Sequence, residues 1–226
     1  MRGADGRLQD FTAQSGLELA GYWEGAAFGD LDGDGDLDLV MLGGIDPEGN
    51  SSGGMFSGTP ARLWRNEGGG LFSDFSAASN CTGPADGESW QTVILDLDGD
   101  GDQDILQAND FQNSTLCVND GSGYFSSWQG SGSMDFSASA MGLSVGDLTG
   151  DGCLEIYVTN FAQADATLNF DGQGNFTEVY LSLLGSHPDP SPPLSGYGVS
   201  LSDVDLDGDQ DLLWVAAYDL ANPAQG

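Results

Sequence analysis

One acidic loop of nine residues occurs four times in this chain, and it constrains the fold more than any other feature. The copies are residues 30–38 (DLDGDGDLD), 96–104 (DLDGDGDQD), 147–155 (DLTGDGCLE) and 203–211 (DVDLDGDQD). Carboxylates recur at alternate positions, and glycine stands at position 6 of every copy. Because carboxylates spaced this closely repel one another, the pattern predicts a cation among them. Ligands that are all oxygen, on a flexible loop, favour Ca²⁺ over Mg²⁺.

The segments on either side of the loop also repeat. A strand rich in small residues precedes each loop, and an apolar strand follows it. A second hairpin with a glycine-containing turn comes next, at residues 63–72, 116–125 and 168–176. We expect Phe72, Phe125 and Phe176 to begin the last strand of each unit and to pack between neighbouring sheets. Helical periodicity is absent from the sequence.

Four short strands per unit, with loops 51 to 66 residues apart, are typical of β-propeller blades. The predicted fold class is all-β: a β-propeller of four-stranded blades, with a Ca²⁺-binding loop in each blade and about four blades here. A single domain over residues 1–226 would hold blades at approximately 20–78, 88–130, 136–184 and 196–226, the last one partial. Residues 8–16 resemble residues 71–79 and predict the outer strand of a preceding blade. These ends favour part of a longer, seven-bladed propeller over a four-bladed ring closed by strand exchange.

In residues 28–40 and 116–125 the chain resembles the FG-GAP/VCBS repeat family, which includes the integrin α-subunit propeller and cartilage-acidic-protein-like proteins. The resemblance implies that Ca²⁺ is bound by side chains at loop positions 1, 3, 5 and 9 and by the backbone carbonyl at position 7. It therefore implies three to four Ca²⁺ ions and the following metal ligands: Asp30, Asp32, Asp34, Asp36 and Asp38; Asp96, Asp98, Asp100, Asp102 and Asp104; Asp147, Thr149, Asp151, Cys153 and Glu155; and Asp203, Asp205, Asp207, Asp209 and Asp211. The third loop departs from the pattern at Thr149 and Glu155, so we expect it to be the weakest site.

The EF-hand is the rival interpretation of these loops, because its loop also begins with aspartates at alternate positions. An EF-hand requires a bidentate glutamate at position 12 and helices on both sides. The residues at position 12 here are Met41, Gln107, Val158 and Trp214, and the flanking segments are predicted strands. The sequence excludes an EF-hand.

The charge balance limits the possible partners. The chain has 36 acidic and 4 basic residues, and the four loops hold 18 of the acids. Nucleic acid and anionic membranes both require basic patches, so we expect neither as a partner. No apolar run approaches the roughly 20 residues of a membrane helix, so no membrane insertion is expected.

A secreted, extracellular location is expected because loops of this kind suit millimolar calcium, although the N-terminus does not read as a signal peptide. Cys81, Cys117 and Cys153 permit one disulfide, and the sequence leaves the pairing open. We expect Cys153 to stay unpaired. Sequons at Asn50, Asn80, Asn113 and Asn175 suggest a glycoprotein.

We expect an extracellular module that binds calcium and serves in ligand binding or adhesion. Its ligand would be a protein or a glycan, and the calcium would be structural. One alternative is a calcium-dependent structural or matrix protein that self-associates through open blade edges. Another is a polysaccharide-active enzyme on a propeller scaffold. We expect no enzymatic activity, because His187 is the single histidine and no catalytic motif is present.

Overall fold

The computed structural model describes residues 5–17, 20–45, 58–84, 88–127, 139–161, 165–171, 175–179 and 195–217. These residues form an almost purely β structure, with three four-stranded antiparallel sheets and one two-stranded sheet. The first sheet contains β1 (Trp23–Gly29), β2 (Asp38–Gly43), β3 (Arg62–Asn66) and β4 (Phe72–Asp74). The second contains β5 (Ser89–Leu95), β6 (Asp104–Asn109), β7 (Thr115–Asn119) and β8 (Phe125–Ser127). The third contains β9 (Ala140–Gly146), β10 (Glu155–Asn160), β11 (Ala166–Phe170) and β12 (Phe176–Glu178), and the fourth contains β13 (Ser195–Ser202) and β14 (Asp211–Ala217).

Each sheet is a simple meander in chain order, as the repeated sequence pattern predicts. The acidic loop joins the first two strands, and the residue before loop position 1 pairs with position 9. These closing pairs are Gly29 with Asp38, Leu95 with Asp104, Gly146 with Glu155, and Ser202 with Asp211. Phe72, Phe125 and Phe176 begin the fourth strands, as predicted. Phe125 and Phe176 belong to core clusters that join two sheets, whereas Phe72 packs against buried residues of its own sheet.

The apolar core lies between consecutive sheets. One cluster joins Leu31, Val40 and Leu42 of the first sheet to Ile105 and Phe125 of the second. A second cluster spans the second and third sheets and includes Phe176. The inner strands β1, β5, β9 and β13 pack side by side in that order. The sheets therefore follow one another as stacked units, each of which covers one face of the next.

Two short helices were not predicted from the sequence. They are α1 (Thr12–Ser15) and α2 (Ser76–Ser79), and α1 lies where the outer strand of residues 8–16 was expected. Asp10 and Asp74 accept hydrogen bonds from the backbone N–H groups of Thr12 and Ser76, which turns the chain into a helical turn at both places. Residues 8–16 and 71–79 therefore share a local conformation, a short helix that follows an aspartate. Neither helix is long and apolar enough to cross a membrane.

A disulfide connects the first two sheets. Cys81, which follows α2, is bonded to Cys117 in β7, and this resolves the pairing that the sequence left open. Both cysteines are buried in the core cluster between these sheets. Cys153 is exposed and forms no disulfide, as predicted. The bond therefore fixes the segment after the first sheet against the second sheet.

Candidate metal centres

The four loops share one backbone hydrogen bond that explains the glycine at position 6. The carboxylate at position 1 accepts the N–H of this glycine, at 3.1 Å from Gly35 to Asp30 and 3.1 Å from Gly101 to Asp96. The same bond measures 2.9 Å in the third loop and 3.0 Å in the fourth. All four glycines have positive φ, between 87° and 100°, which other residues rarely adopt. The first carboxylate of each loop is therefore held facing the turn.

The carboxylate at position 9 anchors the loop to the sheet. In the second loop, Asp104 accepts the N–H of Leu97 at 2.8 Å and the N–H of Asn119 at 2.9 Å. In the first loop, Asp38 accepts the equivalent bonds from Leu31 at 3.0 Å and Asn66 at 2.8 Å. Both aspartates are fully buried. The last carboxylate is thereby fixed between the start of its own loop and the end of the third strand.

Three loops bring three carboxylates together. Carboxylate oxygens from positions 1, 3 and 9 lie within 4.8 Å of one another in each of the following groups: Asp30, Asp32 and Asp38; Asp96, Asp98 and Asp104; and Asp203, Asp205 and Asp211. In the first group, Asp30 Oδ1 is buried and has no hydrogen-bond partner within the described part of the chain. Convergent, oxygen-only donors with a buried acceptor left unpaired fit a hard divalent cation such as Ca²⁺.

Burial raises the pKa of three aspartates in the first two loops. Burial raises the pKa of Asp104 to about 6, although the N–H groups of Asn119 and Leu97 act in the opposite direction and favour the anion. Burial also raises the pKa of Asp38, with a further increase from the charges of Asp32 and Asp34. Burial and the neighbouring Asp100 raise the pKa of Asp98. Without a cation, burial therefore disfavours the charged form of Asp38 and Asp104.

The aspartates at position 5 have a different contact. Asp34, Asp100 and Asp207 each accept the N–H of the residue at position 7, at 2.8 Å, 2.9 Å and 3.0 Å. The structure does not place these side chains in the groups of three. Their role as ligands, and that of the backbone carbonyls at Asp36, Asp102, Cys153 and Asp209, stays a prediction.

The third loop differs in the way its acids are used. Glu155 Oε2 accepts the N–H groups of Leu148 and Thr149, at 2.8 Å and 3.0 Å, and Oε1 accepts the side-chain amide of Asn169 at 2.9 Å. No third-loop residue belongs to a close group of three carboxylates among the described residues. Thr149 supplies no charge at position 3, and the longer Glu155 is already saturated by protein donors.

Arg65 and Asn119 lie outside the loops, contact them and were not identified as site residues from the sequence. Arg65 Nε in β3 lies 2.9 Å from Asp32 Oδ2, and its guanidinium lies 5.2 Å from the centroid of the Phe75 ring. Asn119 donates from its side-chain amide to Leu31 O at 2.8 Å and to Gln103 O at 2.9 Å. The recurrence of asparagine at Asn66 and Asn119 was the available signal, but Phe170 replaces it in the third sheet.

The other sequence-predicted features are distributed as follows. Asn80 Nδ2 donates to Phe125 O at 3.0 Å, and Asn175 Nδ2 donates to Asp171 at 2.6 Å, so both sequon amides are engaged. Asn113 lies between β6 and β7. Asn50 and His187 lie outside the described residues.

Comparison with known families agrees with the repeat pattern. The model of the FG-GAP-like repeat matches residues 96–158, a segment that runs from the second loop through the third loop and most of β10. The resemblance to the FG-GAP/VCBS family is thereby confirmed for this segment. No curated protein matches the chain.

Among solved structures, the chain is similar to a lectin from Agrocybe aegerita, whose structure is described as the basis of specific recognition of non-reducing terminal N-acetylglucosamine. The two share 25% sequence identity with a TM-score of 0.40. The match covers 68% of this chain and 36% of the lectin chain, so the chain spans about a third of the lectin's length.

Proposed function

We propose that this protein is a calcium-stabilised β-propeller module of the extracellular space that binds a protein or glycan ligand. The observation that carries the calcium assignment is the convergence of carboxylates from positions 1, 3 and 9 in three separate loops. Each group lies where two strands meet, and its last member is bonded to the backbone of the loop in all three. An ion there would bridge the start and the end of the loop and close the hairpin.

The same contacts support a structural role for the ion. Asp38 and Asp104 are buried beneath the loops and accept two backbone N–H groups each, so a cation bound to them is coupled to strand pairing. Folding and binding would therefore be linked, as in other small metal-stabilised modules. An affinity on the order of 10⁻⁴–10⁻³ M would suffice outside the cell.

The arrangement of the sheets supports the propeller part of the proposal. Consecutive four-stranded sheets with their first strands side by side and an apolar core between faces are the arrangement of propeller blades. In this proposal, the acidic loops all belong to one end of the blades, because each joins the first strand of its sheet to the second.

A neutral groove beside the disulfide is the surface that best suits an uncharged ligand. It is lined by residues 80–84 together with Gln112, Asn113, Thr115 and Cys117, and none of these carries a charge. Gln107 is fully buried in β6, and both polar atoms of its side chain lack a hydrogen-bond partner in the described structure. A Cβ atom placed on Gly83 of the groove would lie 2.5 Å from Gln107 Oε1. In a chain with 36 acids, such a surface favours hydroxyl and amide groups over cations.

An extracellular location is supported by the disulfide and by the expected calcium affinity. Disulfides persist in oxidising compartments, and calcium at millimolar concentration is found outside cells. The acidic surface is compatible with that environment.

The calcium proposal is tested by calorimetric titration of the metal-free protein with CaCl₂. We expect three binding sites and an increase in melting temperature. Asp98→Asn should remove one site, because its carboxylate belongs to the second group. Asp102→Asn makes the same charge change in the same loop and should retain all three sites, because position 7 is predicted to bind through its carbonyl. Absence of heat and of stabilisation, or equal effects of the two variants, would contradict the proposal.

Ligand binding requires a separate measurement. The calcium-loaded protein should bind members of a glycan array, or an extracellular protein, and Thr82→Val in the neutral groove should weaken binding without changing the melting temperature. The matched control is Thr177→Val in β12, where the side chain is exposed and far from the groove in sequence. If no ligand is found or both variants behave alike, this groove is not the ligand site.

A further inference from the structure

Arg65 places a positive charge directly against the first acidic loop. It stands in β3, and its Nε lies 2.9 Å from Oδ2 of Asp32, a member of the first group of three carboxylates. The side chain of Asp32 is 12% exposed, so its end of this ion pair is largely shielded from water. A cation that binds the first group must therefore share Asp32 with a guanidinium.

The contact between the two side chains is an ion pair without a directed hydrogen bond. Arg65 Nε is buried and donates no hydrogen bond to the described residues, although Asp32 Oδ2 is close to it. In the same group, Asp30 Oδ1 is buried and accepts no hydrogen bond from them. Buried donors and acceptors are nearly always paired in folded proteins. The guanidinium therefore offsets the charge of the first group and leaves its hydrogen-bonding capacity unfilled.

Two neighbours outside the loop hold the guanidinium in this position. Its Cζ lies 5.2 Å from the centroid of the Phe75 ring, which is a cation–π distance. Its Nη2 lies 3.5 Å from Ser122 O, in the turn between β7 and β8 of the second sheet. Because neither neighbour belongs to the loop, both remain available to Arg65 when an ion occupies the carboxylates.

The second loop provides a comparison within the chain. The first two loops differ in one residue, at position 8, and both bring positions 1, 3 and 9 together. The place of Arg65 in the third strand is taken by Val118 in the second sheet and by Asn169 in the third, since each pairs with the second residue of its fourth strand. No basic residue in the described part of the chain forms an ion pair with the second group. The two groups therefore offer the same carboxylates in different electrostatic surroundings.

We propose that Arg65 competes with the cation for Asp32 and makes the first calcium site weaker than the second. The inference rests on the proposed calcium binding and names the residue that sets the affinity of one site. A unit charge and a divalent ion about 6 Å apart in water repel each other by an energy that corresponds to about a tenfold change in affinity. Without calcium, the same charge offsets the repulsion among the three carboxylates. Arg65 therefore stabilises the empty first loop and opposes its filling.

Calorimetric titration of the metal-free whole chain with CaCl₂ tests the proposal. Arg65→Met removes the charge and keeps an unbranched side chain beside Phe75, so one site should bind calcium about tenfold more tightly than in the parent. Arg62→Met is the control, because it removes the same charge from the same strand, where the partner is Asp74 outside the loops. It should leave every site unchanged, as should Arg65→Lys, which keeps the charge. In an Asp32→Asn background, which lacks the first site, Arg65→Met should have no effect on the remaining sites.

Thermal unfolding separates competition from a merely structural role. In the presence of a chelator, Arg65→Met has lost its ion pair, so its melting temperature should be below that of the parent. In saturating calcium the ion supplies the missing charge and binds this variant more tightly, so the difference should disappear or reverse. An equal difference in both conditions would overturn the proposal.

The calorimetric outcomes distinguish this inference from the proposed function. A parent chain that binds calcium, with the same or weaker affinities in Arg65→Met, would overturn the role of Arg65 and leave the calcium sites in place. A parent chain that binds no calcium would overturn both.

Discussion

The side-chain amide of Asn119 donates a hydrogen bond to the carbonyl oxygen of Leu31, 2.8 Å away. Asn119 ends β7 in the second sheet, whereas Leu31 is position 2 of the loop in the first sheet. The same amide donates to Gln103 O at 2.9 Å, in the second loop. One buried side chain thus connects two of the acidic loops and the two sheets that carry them.

Replacing Asn119 should separate these loops. Asn119→Ala removes both bonds, together with those that its Oδ1 accepts from the N–H groups of Gly121 and Gly123 at 3.2 Å each. It leaves the buried carbonyl of Leu31 unpaired, so we expect the free energy of unfolding to fall by about 3 kcal/mol. Asn66→Ala is the matched control, because its amide donates to Leu37 O within its own sheet and is part of an exposed contact. Its loss should be about 1 kcal/mol. Urea denaturation measures both, and equal losses would show that the bond between sheets adds nothing.

A leucine occupies a glycine position in the fourth loop. Leu206 has a φ of 62°, where Gly33, Gly99 and Gly150 at the same loop position have φ values of 72°, 79° and 71°. A side chain in this left-handed region costs about 1–2 kcal/mol. Leu206→Gly should therefore raise the free energy of unfolding by about 1 kcal/mol, once the greater flexibility of glycine in the unfolded chain is included. The reverse change, Gly99→Leu, should lower it, and thermal unfolding that moves the other way would refute the explanation.

The third loop should become a metal site when its missing charge is restored. Thr149→Asp places a carboxylate at position 3, beside Asp147 and Glu155, and should add one calcium site in calorimetry. Thr149→Asn has nearly the same shape without the charge and serves as the control. We expect no additional site for it. If the aspartate variant also gains none, the hydrogen bonds that saturate Glu155 keep the loop closed to the ion.

The disulfide should contribute to stability because it closes a long loop. Cys81 and Cys117 are separated by 36 residues, and a loop of this length corresponds to about 3–4 kcal/mol in the unfolded-chain model. The double variant Cys81→Ser, Cys117→Ser should lose about that amount in denaturant unfolding. Cys153→Ser should change little, since this thiol is exposed and unbonded. A similar loss in both would contradict the assignment.

The pH dependence of stability should include a contribution from Glu88, which lies just before β5. Burial raises its pKa from 4.5 to about 7, and the nearby charges of Asp110 and Glu24 add to the increase. The folded state therefore holds one more proton than the unfolded state between pH 4.5 and about 7. The stabilisation from this group is complete below pH 4.5 and is lost as the pH rises through 7.

Glu88→Gln remains neutral, so its melting temperature should exceed that of the parent by an amount that grows from pH 5 to pH 8. Glu178→Gln, at an exposed position of β12, should show no such trend. Saturating calcium throughout keeps the metal loops in one state. A constant difference between Glu88→Gln and the parent would exclude titration of Glu88 in this range.

Most of the sheet structure was predictable because each hairpin is determined by residues close together in the sequence, and the same pattern repeats. The loop at residues 96–104, for example, specifies a hairpin by its glycines and its strand residues, whatever surrounds it. The positions of Phe72, Phe125 and Phe176 followed from the glycine turn before each of them. The four-residue helices α1 and α2 were missed, since a single turn is too short to produce a periodic pattern.

By itself, the sequence determined the four loops, the strands that flank them and the carboxylates available to a cation, because each depends on neighbours within about ten residues. Only the tertiary structure decided that positions 1, 3 and 9 converge while position 5 caps the backbone, and that Cys81 pairs with Cys117. It also placed Asn119 on Leu31 and Arg65 on Asp32. These relationships join residues from different sheets or depend on side-chain direction, and neither is encoded in the spacing of residues along the chain.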